Sequence, residues 1–333
     1  MELLHHQSLR PYNTFGLDAT AAHLLTLTDP SQLPEITGIT NHRLILGGGS
    51  NVLFTQDFPG LVLLNRLKGI AVEKEDSDHV WIRVQAGEVW HDLVLFAIGN
   101  GWGGIENLAL IPGTTGASPI QNIGAYGVEV KETIEEVAAW HWEEKTFTTL
   151  KNHECSFGYR DSIFKHALKG KVLVTSVLFK LRKHPELRTT YGAITQELEA
   201  MKLEPSVQHI AQAVINIRRS KLPDPAVIGN AGSFFKNPTI PLTQYQSLLV
   251  RHPLMPSYPV SDTLVKVPAG WLIEQCGLKG YRDGDAGVHA RQALVLVNYG
   301  GASGAAIWAL SSKVVATVQQ EFGIELEREV QVI

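Results

Sequence analysis

Residues 103–127 read GGIENLALIPGTTGASPIQNIGAYG, and the interpretation of the whole chain starts from this glycine-rich run. It contains Pro112 and Pro119 and shows neither the 3.6-residue period of a helix nor the two-residue period of a strand. A long irregular segment in a globular domain is usually a functional loop or a string of turns around a ligand. The run therefore predicts a ligand-binding loop.

A second glycine-rich turn, GGGSN at residues 47–51, directly follows a strand predicted at 43–46. Glycines let backbone N–H groups approach a ligand, and Ser50 and Asn51 add donors for phosphate oxygens. The turn matches neither GxGxxG nor GxxxxGK[ST], so taken alone it is at least as readily a tight structural turn. A flavin dinucleotide needs separate backbone walls for its pyrophosphate and its flat ring system, and the two loops together indicate such a ligand.

The bulk composition describes a folded globular protein with more than one packed unit. The chain has 333 residues, of which 44% are hydrophobic and 19% are charged. At this length two or three packed units are expected. The net charge of -4 argues against a general nucleic-acid binder, because such proteins need a basic surface.

Cysteine usage and hydropathy set expectations about location. Cys155 and Cys276 are far apart and form no CxxC pair, so neither a metal site nor a disulfide framework is predicted. Two reduced thiols fit the cytosol. The opening residues lack a basic segment followed by an apolar stretch, and no apolar run is long enough to cross a bilayer, so we expect neither a signal peptide nor a membrane anchor.

Apolar periodicity predicts the main helices and strands. The predicted helices lie at 88–99, at 206–218 with Ser206 as its N-cap, after Pro268, and at 304–322. Besides 43–46, the predicted strands lie at 23–28, 61–64, 80–84, 136–150 (a hairpin), 171–181 and 293–298. A domain boundary is predicted between about 185 and 220.

The last segment, IELEREVQVI at 324–333, alternates with period two and predicts a strand. One face would carry Ile324, Leu326, Val330 and Val332, and the other Glu325, Glu327 and Glu329. Most carboxylates near a terminus are simply solvated.

Three further patterns carry reactive side chains but are weak signals when taken singly. FGYRDS at 157–162 is equally a surface turn with a local ion pair. GNAGSFFKNP at 229–238 is equally a loop anchored by its phenylalanines, and Lys221 is equally a solvated loop lysine.

Taken in order along the chain, these patterns resemble the UDP-N-acetylenolpyruvoylglucosamine reductase family. The flavin loop alone would indicate only the wider superfamily that includes vanillyl-alcohol-type oxidases. The motifs are NTFG (13–16), LILGGGSN (44–51), ENLALIPGTTGASPIQNIGAYG (106–127), FGYRDSIFK (157–165), KLPDP (221–225), GNAGSFFKNP (229–238) and AGWLIEQCGLKG (269–280).

The resemblance implies an α+β protein: a two-lobed FAD-binding fold of the vanillyl-alcohol-oxidase-like (PCMH-type) superfamily with a C-terminal α+β substrate-binding domain. Lobe 1 would span 1–70 and be joined by the C-terminal strand 324–333, lobe 2 would span 71–190, and the substrate-binding domain 206–322. It further implies a cytoplasmic monomer that binds FAD non-covalently, takes electrons from NADPH, and contains no metal. The implied reaction converts UDP-N-acetyl-3-O-(1-carboxyvinyl)-glucosamine to UDP-N-acetylmuramate for peptidoglycan synthesis.

The resemblance also assigns residues. Arg160 would be the catalytic arginine, Ser233 the proton donor and Glu329 the catalytic glutamate. Substrate would be bound by Tyr159, Tyr191, Arg218, Lys221, Asn237 and Gln292, with Tyr191 marking a subtype whose loop closes over substrate. FAD would be bound by Gly47, Gly48, Gly49, Ser50, Asn51, Pro112, Gly113, Thr114, Gly116, Ala117, Asn122, Ile123, Gly124, Ala125, Tyr126 and Gly127.

One departure from the family pattern concerns the catalytic glutamate. The family usually has Glu-Pro-Glu where this chain has Glu327, Arg328 and Glu329. Period-two alternation keeps both glutamates on one face, so the site would be displaced by at most two positions.

These residue types suit the implied chemistry. An enol ether is electron-rich and accepts hydride only if negative charge can move onto its carboxylate, which a guanidinium such as that of Arg160 can bind through two parallel hydrogen bonds. A serine hydroxyl is a poor acid in water, so Ser233 can protonate C2 only if it is held close to a strongly basic intermediate.

Three alternatives remain open at this point. An oxidase of the same superfamily would often carry its flavin on a histidine, which GGGSN lacks. A flavin-binding protein without catalysis would not need Arg160, Ser233 and Glu329 together. An NAD-only dehydrogenase would be expected to show GxGxxG.

Overall fold

The computed structural model describes residues 2–191 and 193–333 and combines helices with mostly antiparallel sheets. The helices are α1 (Leu33–Thr37), α2 (Trp90–Gly99), α3 (Ile194–Met201), α4 (Val207–Lys221), α5 (Leu242–Leu249), α6 (Ala269–Gln275) and α7 (Gly304–Phe322). The first strands are β1 (Leu4–Ser8), β2 (Thr20–Leu27), β3 (Arg43–Leu46), β4 (Val52–Leu53), β5 (Phe58–Asn65), β6 (Ile70–Glu75), β7 (His79–Gln85), β8 (Gly124–Ala125), β9 (Val128–Glu129) and β10 (Ile134–His141). The remaining strands are β11 (Thr146–Lys151), β12 (Val172–Arg182), β13 (Gly229–Ser233), β14 (Thr239–Pro241), β15 (Tyr258–Pro259), β16 (Leu264–Lys266), β17 (Arg282–Asp283), β18 (Ala286–Val288), β19 (Val295–Asn298) and β20 (Gln331–Val332). This content confirms the predicted α+β class.

The chain divides into two compact units. The first unit comprises Met1–Gln7, Ala21–Gly49 and Pro59–Ser220, and the second comprises Ser8–Thr20, Ser50–Phe58 and Lys221–Ile333. The finer division into lobes at 1–70 and 71–190 and a domain at 206–322 stays a prediction.

The first unit is built around two sheets. One has the order β1-β2-β5-β3, with β3 parallel to β5 and Leu44 opposite Val62. The other has the order β11-β10-β12-β7-β6 and is antiparallel at each pairing. Nearly all of β12 is buried, as the apolar run at 171–181 predicts, because this central strand is covered on both faces.

Helices α2 and α4 supply the apolar surface that covers this core. Their predicted periodicity is confirmed, since α2 buries Trp90, Leu93, Val94, Ala97 and Ile98, and α4 buries Ile210, Ala213, Val214 and Ile217. Ser206 caps α4 as predicted, since its Oγ accepts a hydrogen bond from the His209 N–H at 3.1 Å.

The second unit contains the sheet β13-β19-β18-β17 and the smaller sheet β14-β16-β15. Helix α7 packs against this core through Ile307, Leu310, Val314, Val318 and Phe322. It spans the residues predicted for it, because the Ser303 Oγ accepts from the Ala306 N–H at its start and Gly323 adopts a φ of 65° at its end. Within residues 2–191 and 193–333, no helix combines the length and apolar character that a bilayer crossing requires.

The predicted ten-residue strand at 324–333 is wrong in length. Only β20, Gln331–Val332, is a strand, and it pairs in parallel with β4 at Val52–Leu53. Ile324, Leu326 and Val330 are buried as predicted, but Val332 is 38% exposed. The alternation of apolar and polar residues at 324–330 therefore reflects packing of alternate side chains on the core rather than a continuous ladder of strand hydrogen bonds.

Both thiols are protected by their surroundings, which generates a chemical prediction. Burial, together with the nearby Glu154, raises the pKa of Cys155 to about 12, and burial with Glu321 raises the pKa of Cys276 to about 11. Because only the thiolate reacts, iodoacetamide at pH 7.5 should alkylate the native protein at least about a hundredfold more slowly than the guanidinium-unfolded protein. Mass spectrometry of time points measures this, and rapid native labelling of Cys155 would contradict it.

Candidate functional site

The two glycine-rich segments predicted as separate walls contact each other in the first unit. A Cβ atom on Gly48 would lie 2.9 Å from the Gly113 Cα atom, and one on Gly47 would lie 2.2 Å from the Thr114 Oγ1 atom. Both distances are shorter than any normal contact between non-bonded atoms. The Gly48 and Gly113 backbones can therefore approach as closely as they do only because Gly48 has no Cβ atom. The Arg66 Nη1 atom donates to the Gly47 carbonyl at 2.7 Å and anchors the turn.

The longer loop is fixed along residues 86–90 by main-chain hydrogen bonds. The Trp90 N–H donates to the Gly113 carbonyl at 3.0 Å, and the Thr115 N–H donates to the Glu88 carbonyl at 2.8 Å. The indole of Trp90 donates to the Leu108 carbonyl at 2.9 Å. The loop is therefore held at two points on the start of α2 and is not a free segment.

Thr115 is a site candidate that the sequence analysis missed. It is fully buried, and its Oγ1 atom has no hydrogen-bond partner within residues 2–191 and 193–333. A buried hydroxyl without a partner is costly, so a ligand atom at this position would relieve the penalty. The only sequence signal was its place inside the PGTTGAS run, between residues that were assigned to the cofactor.

These features fit a bound dinucleotide. Gly47, Gly48 and Gly113 present backbone without side chains, and Thr115 adds a hydroxyl that has no hydrogen-bond partner among the described residues. The predicted cofactor residues of the longer loop all lie in the same unit: Pro112, Gly113, Thr114, Gly116, Ala117, Asn122, Ile123, Gly124, Ala125, Tyr126 and Gly127. Ser50 and Asn51 belong to the second unit, where the Gln331 N–H donates to the Asn51 carbonyl at 3.0 Å.

Arg160 is tied to the glycine-rich loop at 103–127 and is more than part of a surface turn. Its guanidinium donates to the Gly124 carbonyl and, at 3.4 Å, to the Asn122 carbonyl. Asn122 is fully buried and its side chain donates to the Gly158 carbonyl at 2.8 Å, which joins the loop to the FGYRDS turn. A Cβ atom on Gly124 would lie 2.7 Å from the Arg160 Nη1 atom, so glycine is required for this approach.

The alternative interpretation of this turn, a local ion pair, is also present. The His166 Nε2 and Asp161 Oδ2 atoms are 2.8 Å apart. Burial by itself would raise the pKa of the Asp161 carboxyl, but the hydrogen bond and charge of His166, the Ser162 N–H and the Lys165 charge together lower the pKa. The ion pair thus involves Asp161 and His166, while the guanidinium of Arg160 remains hydrogen-bonded to the loop.

A second arginine in the first unit is buried and incompletely paired. Burial lowers the pKa of the Arg218 guanidinium, the Tyr126 phenol opposes this shift, and the Arg160 charge adds to it. The Arg218 Nε atom is buried and has no partner among the described residues. Two neighbouring cations, one of them desolvated, are an arrangement that an anionic ligand would stabilise.

Two predicted tyrosines lie beside these cations. The Arg160 guanidinium lies 5.3 Å from the centre of the Tyr159 ring. The Tyr191 side chain packs on the loop, since a Cβ atom on Gly127 would lie 3.3 Å from the Tyr191 Cβ atom. Burial raises the pKa of Tyr126, so this phenol is neutral at pH 7. The first unit therefore brings Arg160, Tyr159, Tyr191 and Arg218 to the Gly124–Gly127 part of the loop.

In the second unit, Ser233 and Glu329 lie on paired backbone segments. Ser233 ends β13, and a bulge between Asn230 and Ser233 interrupts the pairing of that strand with β19. The Glu329 N–H donates to the carbonyl of Phe234, the residue after Ser233, at 2.8 Å. The pairing places Glu329 opposite the residue that follows Ser233, although Ser233 and Glu329 are far apart in sequence.

The same pairing bears on which of the two glutamates is better placed for catalysis. Glu327 has an exposed side chain that forms an ion pair with Lys236. Glu329 is half-buried, and the Asn51 Nδ2 atom donates to its carbonyl at 3.4 Å. Its position next to Ser233 and the commitment of Glu327 to Lys236 both favour Glu329.

The remaining predicted substrate residues are less closely grouped. The Asn237 Oδ1 atom accepts from the Ala269 N–H at 3.0 Å, and the Gln292 Oε1 atom would lie 3.3 Å from a Cβ atom on Gly270, so both lie at the start of α6. Lys221 is the exposed last residue of α4. Asn237 thus has a structural role at the start of α6. The substrate-binding roles of Asn237, Gln292 and Lys221 stay predictions.

Comparisons with known proteins point to one family. A family model described as "UDP-N-acetylenolpyruvoylglucosamine reductase, C-terminal domain" matches residues 224–333, and a model described as "FAD binding domain" matches residues 22–148. The UDP-N-acetylenolpyruvoylglucosamine reductase of Chromobacterium violaceum is 55% identical over 96% of both chains. That of Flavobacterium johnsoniae is 49% identical over the full length of both. The crystal structure of the Thermus caldophilus enzyme is 26% identical, with a TM-score of 0.68 over 99% of this chain and 98% of that chain.

The backbone contact at Gly48 predicts how flavin binding responds to one added methyl group. Gly48→Ala should force the two turns apart, cost about 1–3 kcal/mol, and lower the flavin content of the purified protein. The measurement is the 450 nm to 280 nm absorbance ratio. Gly99→Ala is the matched control, because nothing lies within 4 Å of the position its methyl group would take and its flavin content should not change. Equal flavin content in both variants would contradict the prediction.

The unpartnered hydroxyl of Thr115 predicts opposite effects in the two forms of the protein. Thr115→Val should stabilise the flavin-free form by about 1 kcal/mol, because a buried unsatisfied group is removed, and should weaken FAD binding. Thermal unfolding with and without FAD, and an FAD titration, measure the two effects. Thr317→Val on α7 is the control. A variant that is less stable without FAD but binds it normally would show that the hydroxyl has a protein partner.

Proposed function

The chain belongs to the UDP-N-acetylenolpyruvoylglucosamine reductase family, and on that premise we propose that Arg160, Ser233 and Glu329 carry its chemistry. It is an FAD-dependent oxidoreductase that reduces the enolpyruvyl ether of a UDP-sugar to UDP-N-acetylmuramate, a precursor of peptidoglycan. When bound, FAD would supply the chemistry of hydride transfer between NADPH and C3 of the vinyl group. The protein supplies binding, charge stabilisation and a proton.

FAD would be held by the side-chain-free turns and by Thr115. The backbone of Gly47–Gly49 and of Pro112–Gly127 provides N–H groups that can approach phosphate oxygens. Ser50 and Asn51 extend the first turn in sequence and would add side-chain donors. The support for this assignment is the close approach of Gly48 to Gly113, which a Cβ atom would prevent.

Arg160 would stabilise the negative charge that hydride addition places on the substrate carboxylate. Its guanidinium is fixed by the carbonyls of Gly124 and Asn122, so it does not have to reorganise during the reaction. Arg218 adds a second, partly desolvated cation nearby. Charge interactions are stronger in such a water-poor setting, and removal of one cation should affect the transition state more than the ground state.

Ser233 would then protonate C2, and Glu329 would orient the site and support return of a proton to Ser233. The backbone pairing of Glu329 with Phe234, next to Ser233, is the observation that carries this assignment. The pairing restrains the main chain on both sides of the proposed site, at Glu329 and at the residue after Ser233. A weak acid such as serine requires a restrained position close to C2.

The remaining substrate residues would bind the nucleotide diphosphate and the carboxylate. Lys221 would contribute a positive charge and Tyr191 a phenol, remote from the reacting carbons, and their binding energy would position the vinyl group. The proposed substrate-binding set is Tyr159, Tyr191, Arg218, Lys221, Asn237 and Gln292.

We place the protein in the cytoplasm as a monomer that acts on small molecules, NADPH and the UDP-sugar enolpyruvyl ether, and that does not bind membrane or nucleic acid. The substrate chemistry supports this location, because both nucleotides are intracellular metabolites. We propose FAD-binding lobes at 1–70, joined by the C-terminal segment 324–333 that contains β20, and at 71–190, with substrate bound mainly by 206–322.

Separation of the two half-reactions tests the role of Ser233. Ser233→Ala should keep the rate at which NADPH bleaches the flavin and should slow anaerobic recolouring by the enolpyruvyl sugar nucleotide by about 10²–10⁴-fold. Stopped-flow absorbance at 450 nm measures both rates. The control is Ser247→Ala on α5, a serine whose hydroxyl donates to the Thr243 carbonyl. Recolouring of Ser233→Ala at the native rate would refute the proton-donor role.

A further inference from the structure

Arg328 connects the segment that carries Glu329 to helix α7. Its Nε atom donates to the Ser311 Oγ atom at 2.9 Å, and its Nη2 atom donates to the Ser312 Oγ atom at 2.9 Å. Its guanidinium carbon also lies 4.0 Å from the centre of the Trp308 ring. One side chain thus contacts three residues on one face of α7, since positions i, i+3 and i+4 of a helix are neighbours.

Both serine hydroxyls are oriented to receive the guanidinium. The Ser311 Oγ atom donates to the Trp308 carbonyl at 2.7 Å, and the Ser312 Oγ atom donates to the same carbonyl at 3.1 Å. With its single hydrogen directed at the helix backbone, each hydroxyl presents lone pairs to Arg328. The planar guanidinium presents its Nε–H and Nη2–H groups to the two hydroxyl oxygens in a fixed geometry, which the single rotatable ammonium of a lysine does not provide.

The backbone of the same short segment is paired on its other side with the residues that follow Ser233. Arg328 forms an antiparallel bridge with Phe235. The Glu329 N–H donates to the Phe234 carbonyl at 2.8 Å, and the Lys236 N–H donates to the Glu327 carbonyl at 2.9 Å. These contacts lie outside the named strands, so the segment has few main-chain bonds to hold its position.

We propose that Arg328 is a positioning residue for Glu329. By fastening residue 328 to α7, its side chain limits sliding and rotation of the segment that places Glu329 beside Ser233. The inference rests on the proposed roles of Ser233 and Glu329. It concerns a residue at which this chain differs from the Glu-Pro-Glu pattern of the family it resembles, and it gives the arginine a physical task at that position.

Proline at position 328 would restrain the same segment by a different route. The two hydrogen bonds that flank the bridge use the N–H of Glu329 and the carbonyl of Glu327, and neither uses the N–H of residue 328. Proline lacks only that N–H, and its ring fixes φ, so the pairing with Phe234 and Lys236 is retained. Backbone stiffness would then replace the side-chain tether, whereas alanine would supply neither.

The experiment compares Arg328→Ala, Arg328→Pro and the native enzyme in anaerobic stopped-flow assays of both half-reactions. In Arg328→Ala, recolouring of NADPH-reduced flavin by saturating enolpyruvyl sugar nucleotide should slow about ten- to a hundredfold, because small displacements of reacting groups have effects of this size. Bleaching by NADPH and the apparent KM for the sugar nucleotide should change less than about twofold. Arg328→Pro should recover most of the lost rate.

Arg251→Ala is the matched control for loss of a surface arginine tethered to α7. The Arg251 Nη2 atom donates to the Glu321 carbonyl at 3.2 Å, far along the helix from Ser311. Its removal should leave both half-reactions at the native rates. If Arg328→Ala does not fold, the double variant Ser311→Ala with Ser312→Ala removes both acceptors but keeps the arginine, and it should show the same selective slowing to a smaller degree.

The outcomes separate this inference from the proposed function. If the native enzyme is recoloured by the sugar nucleotide while Arg328→Ala matches it, the positioning role is refuted and the proposed function stands. A parallel fall in both half-reactions, or a proline variant as slow as alanine, would equally refute it, because either result indicates a general structural effect. If the native enzyme itself is not recoloured, the proposed function fails first.

Discussion

The architecture of the proposed flavin site depends on one close contact, the approach of the Gly48 backbone to the Gly113 backbone. A Cβ atom added to Gly48 would lie 2.9 Å from the Gly113 Cα atom, so any side chain there would separate the two turns. Arg66, the residue after β5, donates a hydrogen bond to Gly47 and holds the first turn. Trp90, the first residue of α2, donates a hydrogen bond to Gly113 and holds the second. The contact therefore joins the end of β3 to the start of α2 through the binding loop.

A buried arginine nitrogen and a buried hydroxyl without partners lie in this loop or next to it. Arg218 is desolvated with an unpartnered Nε atom, Arg160 lies close enough to affect its pKa, and Thr115 has a buried hydroxyl without a partner in residues 2–191 and 193–333. The two unpartnered groups are unfavourable for the protein alone, and an anionic or hydrogen-bonding ligand would relieve both. Stability and ligand affinity are thus opposed at these positions, as expected for a binding site.

The second unit pairs two segments that are distant in sequence and that carry the proposed catalytic residues Ser233 and Glu329. Glu329 is hydrogen-bonded through its main chain to Phe234, the residue after Ser233, so the alignment of the two segments does not depend on long flexible side chains. The pairing is short, and the tether from Arg328 to Ser311 and Ser312 supplements it. In the proposed arrangement, the contacts of the Arg328 side chain with α7 restrain the segment that carries Glu329. A proline at position 328 would restrain the same segment through a stiffer backbone.

Elements with a local signal could be predicted from the order of residues alone. Apolar periodicity predicted helices α2, α4 and α7, and a continuous apolar run predicted β12. The sequence motifs identified the candidate site residues. The folded chain was needed to show that the C-terminal alternation yields a two-residue strand, that Thr115 is an orphaned hydroxyl, and that Arg328 reaches α7. Periodicity reports which side of an element is buried, whereas hydrogen-bond partners and close backbone approaches depend on segments that the chain brings together only when it folds.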